Sequence, residues 1–144
     1  KSERTDNQQF YDFWKIDVSM LNDKYYMLAM SQGLLATDNL EFLADFNPRK
    51  ENKFISDIAA ISKYKCDLKT ISIGTKLDFK LESKNANDSK AVILLINGTT
   101  IGYMKQFHSN SIHKAVKSKI KPSILIKKII DNEKTKKVFI EISF

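Results

Sequence analysis

The chain has 144 residues, of which 42% are hydrophobic and 28% charged, with only four Gly and two Pro. This is the composition of a folded domain and not of a collagen, a linker or a disordered tail. A single cysteine, Cys66, excludes an internal disulfide and a cysteine-based zinc site, so we expect no metal or other cofactor and a reducing, cytoplasmic setting. No apolar run approaches the ~18 residues of a membrane span, and the N-terminus is polar, so no membrane partner is expected.

Positive charge is concentrated after residue 50. Residues 1–50 hold six basic and eight acidic groups, a net of −2, whereas residues 51–144 hold 18 basic and nine acidic groups, a net of +9. This asymmetry predicts an anionic partner, with nucleic acid as the leading candidate. The alternative is compositional, because 22 Lys against two Arg is also what an AT-rich genome encodes. Two arginines leave little capacity for bidentate reading of guanine, so DNA binding should depend little on base sequence.

Apolar residues recur at helical spacing in the first 46 residues. The pattern predicts a helix within residues 9–20, an apolar tract at 25–30 that ends at Gly33, and a short capped helix at 37–46 that ends before Pro48. The polar segment 47–52 predicts the boundary between a helical N-terminal extension at 1–50 and a second domain at 51–144. The many aromatic residues of 1–46 are expected to pack on the second domain, on another copy or on a protein partner.

Beyond residue 52 the apolar period shifts from 3.6 to two. Strands are predicted at 58–64, 77–82, 91–96, 100–104, 123–130 and 138–144, with one helix at 106–120. The dipeptide Asn97-Gly98 predicts a tight hairpin, because both central residues of a type I′ turn need positive φ. We therefore predict an α+β fold, a small, partly open OB-like β-barrel with one inserted helix. The inner face of that helix is predicted to hold Phe107, Ile112, Ala115, Val116 and Ile120.

The segment 74–104 resembles the HIRAN domain family. The family pattern of glycine, alternating strand, N-x-x-D loop, apolar strand, turn and I-G-Y is matched by Gly74, residues 77–82, Asn85 to Asp88, residues 91–96, Asn97-Gly98 and Ile101-Gly102-Tyr103. The resemblance extends back to the strand at 58–64 and forward to the last strand, about 90 residues in all. It implies the same OB-like barrel at 51–144.

In the best understood members, fused to fork-remodelling ATPases, the HIRAN domain resembles a pocket that receives the 3′ end of single-stranded DNA. The resemblance implies that Asp88 accepts a hydrogen bond from the terminal 3′-hydroxyl and that Asn85 bonds the last nucleotide. Tyr103 and Lys105 match the family's Tyr or His and the basic stretch after it. Lys63 and Tyr64 match, within one residue, a basic and aromatic pair. Ala86-Asn87 departs from the Pro-Tyr typical of end binders, which removes one stacking aromatic.

The residues themselves also allow a binding surface. Single strands need cations for phosphates and flat side chains for bases, and Lys63, Tyr64, Lys84, Lys105, Phe107 and His108 supply both. The structural alternatives are that Asn85 and Asp88 only hold an Asx-type turn, that Tyr103 caps the barrel core, and that the lysines at 114–121 are a solvated helix face.

No catalytic constellation is present in the sequence. His108 and His113 are five residues apart and do not share a helix face, and Cys66 lacks an orienting histidine. We expect no enzyme but a nucleic-acid-binding module that binds single-stranded DNA or its 3′ end, in DNA repair, processing or a mobile element. The alternative is a protein-interaction or assembly module that uses residues 1–46.

Overall fold

The structure, a computed structural model, describes residues 7–33, 44–49 and 52–144. Contacts separate the chain into two units, Lys1–Ala44 and Asp45–Phe144. Residues 45–49 fall in the second unit and not in the predicted extension, because their side chains contact the barrel. The Phe46 ring stacks on Phe54 with the centroids 4.2 Å apart, and Asp45 pairs with Lys114 at 2.8 Å.

Over its described residues 7–33, the first unit contains two short helices, α1 (Asn7–Trp14) and α2 (Lys24–Ser31), with a 3₁₀ turn at Val18–Met20 between them. The single helix predicted at 9–20 ends early because Lys15 adopts φ 59° and the Ile16 N–H closes the helix on the Tyr11 carbonyl. Asp23 caps α2, because its side chain accepts hydrogen bonds from the backbone N–H groups of Tyr25 and Tyr26. The helix predicted at 37–46 falls largely on residues 34–43, outside the described part of the chain.

The second unit is a closed antiparallel barrel. Its strands are β1 (Lys53–Ala59), β2 (Lys76–Glu82), β3 (Ala91–Ile96), β4 (Thr99–Met104), β5 (Ser123–Asp131) and β6 (Lys136–Ser143), in the order β1-β4-β3-β2-β5-β6. Helix α3 (Gln106–Lys117) lies between β4 and β5 in the chain. This is the predicted class, a small barrel with one late helix that follows a helical segment in the chain, except that the barrel is closed where a partly open one was predicted. It closes through narrow seams, β1 on β4 near Ile58–Met104 and β2 on β5 near Leu77–Ile124.

The hairpin prediction is confirmed in detail. Asn97 has φ 48° and Gly98 has φ 80°, the left-handed values that a type I′ turn requires. Strands β2 and β3 pair from Asp78–Leu95 to Glu82–Ala91, so the loop between them leaves the sheet directly after Glu82.

The first barrel strand differs from its prediction. It runs over Lys53–Ala59 instead of 58–64, because Ala60 adopts φ 60° and starts a 3₁₀ turn at Ile61–Tyr64. All five residues 54–58 are buried, so the strand lacks the alternation that reveals a strand in the sequence. As a result Lys63 and Tyr64 lie on a turn at the barrel end and not within a strand.

Helix α3 also turns a different face inward from the one predicted. Ile112 and Ala115 are buried as expected, but Phe107 is 53% exposed and Val116 41% exposed. Polar residues take the remaining inner positions, namely His108, Ser109 and Ser111. The His108 ring nitrogen Nδ1 lies 2.6 Å from Ser56 Oγ of β1, and this bond gives the buried Ser56 hydroxyl and the buried Nδ1 a partner.

Candidate functional site

Four of the predicted site residues line one cleft of about 340 Å³ at the end of the barrel where β1 and β4 meet the β2–β3 loop. These are Lys63 on the 3₁₀ turn, Asn85 and Asp88 in the loop, and Tyr103 on β4. We call this the tyrosine cleft. Its other lining residues are Ala59, Asn87, Ala91, Met104 and Gln106. The β1–β4 seam, where Ala59 is paired with Tyr103, therefore positions the cleft.

The polar loop is built around Asn85. Its Oδ1 accepts hydrogen bonds from the backbone N–H of Asn87 at 2.9 Å and of Asp88 at 3.1 Å, the Asx turn considered as an alternative from the sequence. Its Nδ2 donates to Glu82 Oε2 at 2.7 Å. The Asn85 side chain therefore bonds mainly to its own loop and to Glu82, and Asn85 acts as a positioning residue.

Glu82, the last residue of β2, links the loop to β4. Its Oε2 accepts from Asn85 Nδ2 and, at 3.0 Å, from the Tyr103 hydroxyl. These two bonds lower the pKa of Glu82 below its ordinary value. The carboxylate is therefore ionised at neutral pH. Sequence analysis missed Glu82, although its place three residues before the loop asparagine is a signal for such a bond.

Tyr103 forms the aromatic wall of the cleft. It is half-buried, and its ring lies 5.9 Å from the Tyr64 ring, centroid to centroid, at an angle of 53°. The pKa of the Tyr103 hydroxyl is raised far above its ordinary value, chiefly by hydrogen bonding with Tyr64 and secondly by the bond to Glu82. Tyr103 therefore stays protonated at neutral pH, and it lines the cleft while remaining half-buried.

Asp88 has one carboxylate oxygen in use and one open. Its Oδ1 accepts from the Lys90 backbone N–H at 2.8 Å, which holds the loop as an Asx turn. No donor from the described parts of the chain bonds its Oδ2. Asp88 is half-buried and lines the tyrosine cleft. Asp88 is therefore a candidate acceptor for a hydroxyl group that enters the cleft.

A second cleft of about 320 Å³ adjoins the first along α3. It is lined by Asp88, Ser89, Lys90, Gln106, Phe107 and Asn110, and we call it the phenylalanine cleft. Asp88 and Gln106 line both clefts. The wall between loop and helix is fixed by His113, whose Nε2 lies 3.1 Å from the Lys90 carbonyl oxygen and donates to it in the matching tautomer.

Two predicted site residues are corrected by the structure. His108 has 0% exposure and packs its ring against Phe46 and Phe54, so it cannot reach a nucleic acid. The Lys105 side chain is only 11% exposed and its Nζ lies 2.6 Å from Asp57 Oδ1, so its charge is already paired. Asp57 is buried on β1 and also faces Lys137 at 3.7 Å. No sequence signal identified Asp57, because only the β1–β4 seam brings it to Lys105.

Three other lysines lie in or near the clefts in the chain. Lys63, Lys84 and Lys90 are exposed, and none of them forms an ion pair with another described residue. Lys84 lines neither cleft but precedes Asn85 in the same loop. From residue 89 to residue 130 the chain contains no Asp or Glu and eight Lys. Asp88 is thus the last acidic group before a long basic stretch.

Other chemistry finds little support in the described residues. They contain no group of three or more His, Cys, Asp and Glu placed to hold a metal ion. Burial raises the pKa of the Cys66 thiol, and the negative charge of the neighbouring Asp67 raises it further. Both effects disfavour a nucleophilic thiolate. None of the described helices is both long enough and apolar enough to cross a bilayer.

Comparison with known proteins bears on the fold. No protein-family model matches the sequence, and no curated protein matches it. Among solved structures the chain is similar to the HIRAN domain of human HLTF, with 10% identity and a TM-score of 0.51, over 62% of this chain and 72% of that one. At this identity the similarity shows the fold alone. It is the OB-like barrel that the HIRAN resemblance of the sequence predicted.

Proposed function

We propose that the barrel is a HIRAN-type, non-catalytic module that binds single-stranded DNA and receives its 3′ end in the tyrosine cleft. The observation that carries the proposal is that Asp88, whose Oδ2 accepts no hydrogen bond from a described residue, lines one cleft with Tyr103 and with Lys63, a cation outside the ion pairs of the described residues. Cations for phosphates and flat side chains for bases are what a single-strand site requires. A role in DNA repair or processing belongs to the same proposal.

The carboxylate favours a strand terminus over the middle of a strand. An internal phosphate beside Asp88 would meet a like charge, whereas a terminal hydroxyl can donate to it. The protonation states of the neighbours support binding more than catalysis. The lowered pKa of Glu82 leaves it without a proton to donate, and the raised pKa of Tyr103 leaves it without a basic oxygen at neutral pH.

Asp88→Asn tests end capture, because the amide oxygen can still accept from the Lys90 N–H while the charge is lost. We expect the variant to bind a free 3′ end more weakly by about 1.5–3 kcal/mol, the range for a hydrogen bond to a charged group. A 3′-phosphate should weaken binding more for the wild type than for the variant. Fluorescence anisotropy with free and 3′-phosphorylated oligonucleotides measures both. Asp78→Asn, an exposed acid on β2 outside both clefts, is the matched control.

Other outcomes would point elsewhere. If Asp88→Asn tightens both oligonucleotides alike, the surface is a generic phosphate binder and end capture is wrong. If it lowers the melting temperature and weakens both alike, Asp88 only holds its loop. If the wild type binds neither oligonucleotide at low salt, the proposed function itself is wrong.

A second candidate function rests on the first unit, where large apolar side chains are exposed. They include Phe10, Val18, Met20, Tyr25 and Leu28, and Tyr25 is 79% exposed. Such exposure favours a protein-interaction or assembly surface. Sedimentation of the full chain and of Tyr25→Ser/Leu28→Ser over a range of concentrations tests self-association. A monomer at every concentration would leave only a different protein as the partner.

A further inference from the structure

A third cleft, of about 430 Å³, lies at the other end of the β2–β3–β4 sheet from the tyrosine cleft. The tyrosine cleft adjoins the Glu82–Ala91 pair, where β2 ends and β3 begins, whereas this cleft adjoins the start of β2 and the β3–β4 turn. Its apolar lining residues are Ile71, Ile96 and Ile101, and we call it the isoleucine cleft. Its volume falls in the range of about 300–1,000 Å³ that is typical of ligand sites.

The isoleucine cleft differs from the other two in its chemistry. Each of those contains Asp88 and a lysine, whereas no charged side chain lines this one. Its polar lining consists of hydroxyl, amide and thiol groups. Ile101 is 2% exposed, and Ile71 and Ile96 are half-buried. A phosphate would find no cation among the lining residues, so the cleft suits an uncharged aliphatic group.

Beside the cleft, β4 has a stretch of edge that lacks a strand partner. β4 pairs with β3 along its length, but with β1 only at Tyr103 and Met104, because β1 ends where Ala60 turns the chain away with φ 60°. Thr99–Ile101 therefore have a described strand on one side only. No backbone hydrogen bond joins Thr99–Ile101 to the described segment 61–75. Their outward backbone groups can therefore bond an added strand.

The rim of the cleft adds an apolar contact and positive charge. Ile73, in the loop that lines the cleft, is 67% exposed. Lys65, Lys69 and Lys76 each adjoin a lining residue in the chain, are exposed and form no ion pair with a described residue. The one acid among residues 61–76, Asp67, bonds the Lys69 backbone N–H through Oδ1. The surroundings of this neutral cleft therefore favour acidic side chains.

We propose that the isoleucine cleft is a docking site for an extended segment of a partner protein, which adds a strand to β4 at Thr99–Ile101. A branched aliphatic side chain of the segment enters the cleft, and acidic residues on either side of it face the lysines. In strand addition, main-chain hydrogen bonds supply affinity and a pocket for a side chain supplies specificity. The inference goes beyond the proposed function, because this cleft shares no lining residue with the other two.

Synthetic peptides test strand addition to the full chain. The probe is the capped peptide ETVIVTE, with a central isoleucine as anchor and a glutamate at each end. We expect it to shift the backbone amide NMR signals of Thr99–Ile101 and of residues 66–75, but not those of residues 85–88. Aspartate in place of the anchor should weaken binding by about 10- to 150-fold, because an aliphatic group is no longer buried. N-methylation of the peptide backbone should abolish binding.

The charge of the partner is tested with KTVIVTK, which has a lysine at each end instead of a glutamate. It should bind several-fold more weakly than ETVIVTE at low salt, and the difference should shrink as salt is added. Equal affinities at low salt would overturn the acidic flanks of the proposed partner.

Variants of the protein test the location. Ser72→Trp fills the cleft from an exposed loop position and should abolish binding of ETVIVTE, whereas Ser118→Trp, an exposed serine outside all three clefts, is the matched control and should bind like the wild type. Should Ser72→Trp fail to fold, Ile73→Ser changes only an exposed rim side chain and should still weaken the peptide.

Several outcomes would overturn the docking site. These are no shift of the cleft amides with ETVIVTE, equal binding of the aspartate or N-methylated peptide, or unchanged binding by Ser72→Trp and Ile73→Ser. Shifts of the same amides that grow with protein concentration, without peptide, would assign the edge to a second copy and overturn a partner protein. If the wild type binds ETVIVTE but no oligonucleotide, the proposed function fails and this inference stands.

Discussion

Glu82 joins two parts of the cleft through one oxygen atom, which accepts from both Asn85 and Tyr103. Because its pKa is lowered in the folded protein, its ionised form stabilises the fold above the unfolded pKa, and this contribution is lost as pH falls through the folded pKa. Between about pH 5 and pH 3 the wild type should therefore lose more stability than Glu82→Gln. Urea melts across this pH range measure the stability of both proteins. An equal loss of stability by the wild type and by Glu82→Gln would contradict the prediction.

Tyr103 should be visible in an alkaline titration. The chain has five tyrosines, and the pKa of Tyr103 is raised by Tyr64 and then by Glu82. Its folded-state stabilisation is complete below the unfolded pKa of about 10 and is lost as pH rises above it. Phenolate absorbance should therefore show one late component that Tyr103→Phe removes. Tyr64→Phe should move this component toward the ordinary value, and an unchanged curve would argue against the pair.

Among the elements, the pairing of β1 with β4 depends on Gly102, which has no side chain. A Cβ on Gly102 would lie 2.6 Å from the Ala59 carbonyl oxygen, whereas a Cβ on Gly98 would meet nothing within 4 Å. Gly98→Ala should cost about 1–2 kcal/mol through its positive φ alone. Gly102→Ala must also push the seam apart, so we expect about 2–3 kcal/mol or more.

The same pair of variants separates stability from the site. Gly102 precedes Tyr103, and Ala59 lines the tyrosine cleft, so Gly102→Ala should weaken DNA binding as well as stability. Gly98 lies in the β3–β4 turn and lines neither cleft, so Gly98→Ala should bind normally where it is folded. Denaturant melts and anisotropy at low temperature measure the two effects. Equal DNA binding by both variants would show that the β1–β4 seam does not affect the site.

For the whole molecule, the arrangement of charge predicts how binding responds to salt. Lys63 and Lys90 line the clefts and Lys84 precedes Asn85 in the loop, and none of the three forms an ion pair with a described residue. Three phosphate contacts to a single strand predict a slope of about −2 in a plot of log affinity against log salt. Anisotropy titrations over a range of salt concentrations provide the slope. A value near zero would contradict electrostatic binding.

A much steeper slope would extend the interface. The exposed lysines at the end of α3, Lys117, Lys119 and Lys121, would then be the next candidates. If they are a solvated helix face, replacing all three with Gln should leave the measured slope unchanged. A shallower slope in that variant would place them in contact with the strand.

The sequence by itself determined the parts of this protein that depend on neighbours along the chain. Strands β2, β3 and β4 begin and end within a residue of their predictions, because one apolar face and a two-residue turn suffice to specify a hairpin. Asn97 and Gly98 adopt the positive φ that their side chains allow. Asn85 forms the Asx turn that its spacing from Asp88 permits, because that turn requires only a short side chain.

Tertiary structure decided the features that depend on contacts between residues distant in the chain. Lys105 and His108 are a cation and an aromatic side chain in the sequence, but Asp57 and Ser56 on β1, some fifty residues away, bind them. Since polar residues share the inner face of α3 with Ile112 and Ala115, its apolar period did not reveal that Phe107 is exposed. Ala60 ended β1 by a backbone conformation that its side chain does not favour. These outcomes follow from closure of the barrel, which pairs residues distant in the chain and gives no periodic signal along it.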